Sequence, residues 1–187
     1  MAEESNSLDL NLWLNREIIP RQNRLKAKFW NILSDVGNEI DLEALLEIHP
    51  KSRGLKLSKG NDLLGYPYQV LDLIRDFSPN DGLNIRVLNW FGHGLFLFVL
   101  IGKNHSKAPL IELTQQNWQF DLSESPWDYP EIILKGASSN LPTLNEVENS
   151  PFYQWHKVIE ISSATEIKTK ILDELINLNQ ILSEKMG

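Results

Sequence analysis

Apolar residues recur at helical spacing through the first fifty positions of the chain. Leu10, Trp13, Leu14 and Ile18 fall at i, i+3, i+4 and i+8, which predicts an amphipathic helix near the N-terminus. Pro20 has no N–H to bond back to Arg16 and suits the first turn of a new helix. That second helix carries Leu25, Phe29, Ile32, Leu33 and Val36 inward and is expected to end at Gly37, a residue free to take positive φ. Asn38 is placed to cap a third, short helix with Leu42, Leu45 and Leu46 inward, stopped by Pro50. Residues 51–66 hold three glycines and no sustained period, and read as a connecting loop with room for one short strand. Beyond Pro67, the residues Val70, Leu71, Ile74 and Phe77 fit one side of a further helix. The same stretch also alternates as a strand would; helix is the preferred reading. Ser78 to Gly82 forms the strongest turn cluster in the chain.

From Asn84 the period changes from helical to two. Ile85, Val87 and Phe91 lie on one side and Arg86, Leu88 and Trp90 on the other, the pattern of a strand near a sheet interior. Phe91 to Gly94 provide a tight reversal, and Leu95 to Ile101 is apolar on both faces, so its strand should be central and covered on each side. Pro109 to Gln116 suits a short helix or an outer strand. Trp118, Phe120 and Leu122 alternate with polar residues, as in a strand with one wet face. Residues 123–155 are expected to be irregular, and so long a stretch is a functional suspect, packed down by Trp127, Tyr129, Phe152, Tyr153 and Trp155. A late strand is predicted over His156 to Ile161. Ser163 and Glu166 then stand at capping-box spacing before the helical stripe Ile167, Ile171, Leu175, Leu178 and Leu182. The ordering predicts an α+β fold: one domain over 1–187, with an antiparallel sheet of about four strands and N-terminal and C-terminal helices packed on it. Met1 to Ser7 precede any periodic pattern and are expected to stay disordered.

Composition narrows the function classes. The 187 residues are 42% apolar and include six Trp, seven Phe and four Tyr, enough to fill a core. There is no cysteine, which excludes disulfides, thiol nucleophiles, thiolate zinc sites and iron–sulfur clusters. The longest apolar run, Leu95 to Ile101, is far short of the ~20 residues that span a bilayer, so no membrane association is expected. The opening MAEESNSLDL carries neither a basic nor an apolar export region, which points to a cytoplasmic setting. The formal charge of −7 repels phosphate backbones and argues against general nucleic-acid binding. Local charge departs from that average. Arg16, Arg21, Arg24, Lys26 and Lys28 face one acid, Glu17, while residues 119–150 carry six acids against Lys135. The plain account is a solvated helix face beside an acidic loop; a functional one requires the basic residues on one face with aromatics between them.

Motifs that carry a known chemical mechanism are mostly absent from the chain. Gly92, His93 and Gly94 begin a dinucleotide-type pattern, but Leu97 stands where its third glycine is required. There is no phosphate-cradling glycine loop, no serine elbow and no paired histidines on a helix, so no cofactor is assigned and no catalytic residue is named. His49 suits a helix end, His105 a solvated loop and His156 a surface or packing position. His93 lies between two glycines and beside Trp90 and Phe91. It either lines a pocket with Trp90, Arg86 and the Tyr66–Tyr68 segment, or is a turn residue bonded to a neighbouring backbone. Asp72 and Asp76, with Asp62, could hold a cation beside His93, but Arg75 between them makes a self-neutralising face the better account, and no metal is assigned. Trp90, Trp118, Trp127 and Trp155 could wall a cleft, though filling a core is the commoner role. Trp127, in a turn-rich loop, is the exception. Lys59, Gly60, Tyr66, Pro67, Tyr68, Leu71, Asp72, Trp90, Gly92 and His93 have the look of a fingerprint, but of no family that brings an activity with it. The ligand-binding candidates are therefore His93, Trp90, Arg86, Tyr68, Asp72 and Trp127. Two functions stay open. The favoured one is a non-enzymatic module that binds a partner protein or small molecule. The other is an enzyme working near residues 91–94, with Arg86 holding an anion and Asp72 orienting the His93 ring.

Overall fold

The computed structural model describes residues 8–104 and 110–186. The expectations for Met1 to Ser7 and for His105 fall outside the described residues. Period-two alternation and the turn at Gly92, whose φ of +84° side chains avoid, join β3 (Leu83–Trp90) to β4 (Gly94–Ile101) as a hairpin. Its register runs from Leu83 opposite Ile101 to Trp90 opposite Gly94. β2 (Tyr66–Arg75) pairs with β3, β1 (Lys56–Leu63) with β2, and β7 (Tyr153–Ile159) with β4. The short β5 (Gln119–Asp121) and β6 (Ser138–Ser139) extend the far side. Among the described residues this is a seven-stranded antiparallel sheet in the order β1-β2-β3-β4-β7-β5-β6.

Each face of the sheet has its own cover. On one side lie α2 (Ile18–Glu39), α3 (Leu42–Ile48) and α6 (Ala164–Met186). They bury Leu33, Val36, Leu45, Ile171 and Leu175 against Leu71, Val87, Leu97, Val99 and Trp155. A side chain of this kind, fully buried, contributes roughly 1.5–3 kcal/mol. On the other side Val70, Leu88, Trp90, Phe96 and Phe98 are covered by Tyr129 and Ile132. Both covering residues come from the segment after β5, which folds into a π-helical turn at Pro130–Leu134. α1 (Leu10–Trp13), α4 (Leu110–Gln115) and α5 (Leu144–Asn149) complete the helices. No helix among the described residues is long and apolar enough to cross a membrane.

The fold class is α+β with an antiparallel sheet, as its alternating segments predict, but several elements differ from expectation. The sheet has seven strands where about four were expected. β1 reads as loop because KLSKGNDL is polar; as an edge strand it keeps its side chains at least partly exposed and has little need of apolar residues. β2 replaces the helix expected after Pro67. Val70 to Ile74 is buried on both faces of the sheet, so its near-continuous apolar run satisfies either period, and pairing with β1 and β3 decides the outcome. β5 falls within the strand that Trp118, Phe120 and Leu122 predict, whereas β6, two residues long, is too short for any period to register. Asp121, expected on a wet face of β5, is fully buried.

Helix boundaries shift as well. α2 starts at Ile18, with Pro20 in its first turn, where the missing N–H has no partner to lose. It runs through Gly37 to Glu39, and the N-cap of α3 is Asp41, not Asn38; its carboxylate accepts from the Ala44 N–H at 3.0 Å. α5 interrupts the expected irregular stretch, held by a complete Thr143–Glu146 capping box. The C-terminal helix keeps its expected start, where the Glu166 N–H donates to Ser163 Oγ at 3.3 Å.

His49 does more than end a helix. Its Nε2 donates to Asp76 Oδ2 at 2.8 Å and ties α3 to the end of β2. Burial alone would raise the Asp76 carboxyl, but the hydrogen bonds from His49 and the Ser78 N–H outweigh it and hold the pKa below its ordinary value of 3.8. A depressed carboxylate contributes stability above its unfolded pKa and loses it as the pH falls through the folded one. In urea denaturation Asp76→Asn should therefore be less stable than the parent at pH 5, and the gap should close progressively below pH 3.8.

Candidate functional site

The face of the sheet away from the long helices carries an unusual number of polar groups. In the β2–β3 register Asp72 stands opposite Arg86. Arg86 donates from Nε to Asp72 Oδ1 at 2.7 Å, from Nη2 to Oδ2 at 3.2 Å and from Nη1 to the Tyr129 hydroxyl at 2.6 Å. Asn84 adds a donor to Asp72 Oδ1 at 3.2 Å. Trp127 stacks on the guanidinium, 4.8 Å from the ring centre, and meets Phe77 edge-on. Burial works against the Arg86 cation, yet the adjoining Tyr129 and Asp72 oxygens hold its pKa above the usual arginine value. The geometry engages every guanidinium nitrogen. Arg86, Asp72 and Trp127 thus meet as one cluster that pins the loop after β5 to the sheet, and both Asp72 oxygens go to Arg86 and Asn84, not to His93.

His93, Trp90 and Tyr66 form a second cluster at the hairpin tip. The His93 ring packs 4.0 Å from Trp90 and 4.6 Å from Tyr66 between ring centres, and its Nε2 is buried without a hydrogen-bond partner. Trp90 is fully buried and donates from Nε1 to the Leu63 carbonyl at 3.1 Å. Trp90 lies four positions beyond Arg86 along β3, roughly 13 Å of extended chain, so the sequence candidates divide between two places. Tyr68 belongs to a third: it pairs with Gly60 across β1, and a Cβ at Gly60 would lie 2.3 Å from its ring.

One buried pair escaped the sequence reading. His156 Nδ1 and Asp121 Oδ1 share a hydrogen bond of 2.5 Å, and Gln154 Nε2 donates to Asp121 Oδ2 at 2.9 Å. Burial pushes the Asp121 carboxyl above its ordinary value despite both bonds. The signal for it was the polar alternation of Asp121 with Phe120 and of Gln154 and His156 with Trp155. Alternation announces two faces, but not that both are covered. Among the described residues no three His, Asp or Glu side chains converge as a metal site requires. Asp62 accepts from the Gly65 N–H, and Asp76 is engaged by His49.

A cleft opens where α2 parts from the sheet. The buried residues of α2 begin only at Phe29, so its first half stands off the β1–β2 edge and leaves a cavity of about 450 Å³. Asn23, Lys26, Ala27, Trp30 and Asn31 wall it from the helix, at spacings that put them on one helical face. Lys59, Gly60, Asn61, Pro67, Tyr68 and Gln69 wall it from the sheet, with Phe91 below. Two contacts hold the walls. Gln69 donates from Nε2 to the Lys26 carbonyl at 2.8 Å, and Phe29 meets Phe91 edge-on at 5.8 Å. The Lys59 ammonium lies 5.3 Å over the Trp30 ring. Of the five basic residues between Arg16 and Lys28, only Lys26 lines the cleft. Lys26 showed in the sequence only as one of five clustered bases, and Trp30 and the asparagines not at all, because only the tertiary approach of α2 to β1 assembles them.

No family of known proteins matches the chain, and no curated protein or solved structure matches it either.

The Arg86 cluster yields a direct test. Arg86→Leu leaves the buried Asp72 carboxylate without its cation and should lower stability in urea by about 3–5 kcal/mol. Replacing both partners, as Arg86→Leu with Asp72→Leu, should recover most of that loss. A double variant as unstable as the two single losses added together would mean that the pair is not coupled.

Proposed function

We propose that this protein is a non-enzymatic binding domain whose ligand, a small molecule, sits in the cleft between α2 and the β1–β2 edge. The observation that carries the reading is the make-up of the cleft wall. Its volume of about 450 Å³ falls within the range typical of ligand sites, and its lining combines aromatic surface with amides and two lysines. Apart from Lys26, Lys59 and Tyr68, its described lining consists of aromatic and aliphatic surface, backbone and amides, groups that hold and orient a ligand. A cytoplasmic setting and no general nucleic-acid binding belong to the same reading, the latter because the formal charge is −7.

One observation favours a second reading, an enzyme of unassigned class working beside the 91–94 turn: the buried, unpartnered Nε2 of His93. Ala27→Trp and His93→Ala separate the two. Ala27 is exposed and lines only the helical wall, so a tryptophan there fills the cleft without entering the core. In a thermal-shift panel of chemically diverse small molecules, compounds that stabilise the parent should lose their effect on Ala27→Trp and keep it on His93→Ala. The opposite pattern would move the site to the turn.

A further inference from the structure

We infer that the ligand of this cleft is an aromatic anion of the mononucleotide class, a planar heterocycle joined to a phosphate-type group. The inference rests on the cleft being the binding site and goes further by assigning the chemistry of what fills it.

Charge is the first argument. The chain has 25 acidic residues against 18 Lys and Arg, yet the cleft is lined by two lysines and no acid. Among the described residues the acids pair instead with Lys135, Lys157, Lys168, Lys170, Arg86, His49 and His156. Lys26 and Lys59 take part in none of these pairs, so an incoming anion meets two ammonium groups with no internal carboxylate to displace. A cation would meet two like charges here, and a neutral molecule would make no use of either.

Shape and hydrogen bonding supply the second. Trp30 gives the cleft a flat wall, and the exposed Lys59 reaches over it with its ammonium 5.3 Å from the ring centre. A group stacked beside Trp30 is therefore also beside a cation, as in a nucleotide, where ring and phosphate are held a fixed distance apart. Asn23, Asn31 and Asn61 add three side-chain amides that have no intramolecular hydrogen bond among the described residues. Each amide offers a donor and an acceptor together, the combination that reads the edge of a heterocycle. Gly60 completes the fit. A side chain there would collide with Tyr68, so glycine lets that ring lie across β1 at the rim of the cleft.

The test is calorimetric titration of the full chain with adenosine, guanosine and uridine monophosphates, each beside its nucleoside and beside inorganic phosphate. At least one monophosphate should bind roughly tenfold or more tightly than its nucleoside and than phosphate alone. Lys26→Gln with Lys59→Gln should weaken that binding roughly tenfold, with an unchanged melting temperature. Raising the salt should weaken it as well. A nucleoside bound as tightly as its monophosphate, or binding that ignores both lysines, overturns the inference. Should no nucleotide bind while other compounds stabilise the parent and not Ala27→Trp, the class is wrong and the cleft stands. Should no compound distinguish the parent from Ala27→Trp, both fall.

Discussion

β4 is apolar on both of its faces, and the structure is organised around the need to keep water from each. Phe96 and Phe98 point one way and Leu95, Leu97 and Val99 the other, and all five are buried. One layer cannot satisfy such a strand. Helices α2, α3 and α6 close the first side, and the segment carrying Tyr129 and Ile132 closes the second. Because β3 and β7 flank β4, and β2 and β5 pair with them in turn, side chains of all four strands are drawn under the same two covers. That is why Asp72, Asp121 and His156 are buried, and Arg86 mostly so, in a region where polar residues would ordinarily meet water.

Burial then dictates pairing. A charge taken out of water must find a partner, and each here does: Arg86 with Asp72 and Tyr129, His156 with Asp121, and Gln154 with both Asp121 and the Pro126 carbonyl. The same bonds fasten the covering segment to the sheet, since Tyr129 and Pro126 belong to it. Polar groups here are consumed by closure. Besides a few buried atoms such as His93 Nε2 and Trp155 Nε1, unengaged polar groups gather at the edge where α2 diverges from β1 and β2 and the first cover does not quite reach.

Much of the fold was legible from period alone. The β3–β4 hairpin, its central place and the stripe of α6 follow from alternation and helical spacing that no competing pattern matches. Where two patterns fit, the chain was ambiguous on physical grounds: Val70 to Ile74 is apolar enough for a helix and a strand, and only pairing with its neighbours selects one. β5 showed in the alternation of Trp118, Phe120 and Leu122, whereas β1 left room for only one short strand and β6 gave no sign, because edge or very short strands carry no obligatory apolar signal. The site was less legible still. Arg86, Asp72 and Trp127 do meet, and Trp90 and His93 do touch, but a sequence cannot say that Asp72 faces Arg86 and not His93. Lys59, Gly60, Pro67 and Tyr68 looked distinctive and do share one wall. Their opposite wall, Asn23, Lys26, Trp30 and Asn31, lies on a helix some thirty residues earlier and reads as an ordinary polar face.

The fold depends on the hairpin being sealed from both sides while the cleft edge stays open, and amide hydrogen exchange followed by mass spectrometry examines both at once. Backbone amides of Ile85 to Leu88 and Phe96 to Val99 should exchange last, through global unfolding alone, and those of β1 well before them. Early exchange in β4, ahead of the helices and of β7, would contradict the two-sided cover on which everything else has been built.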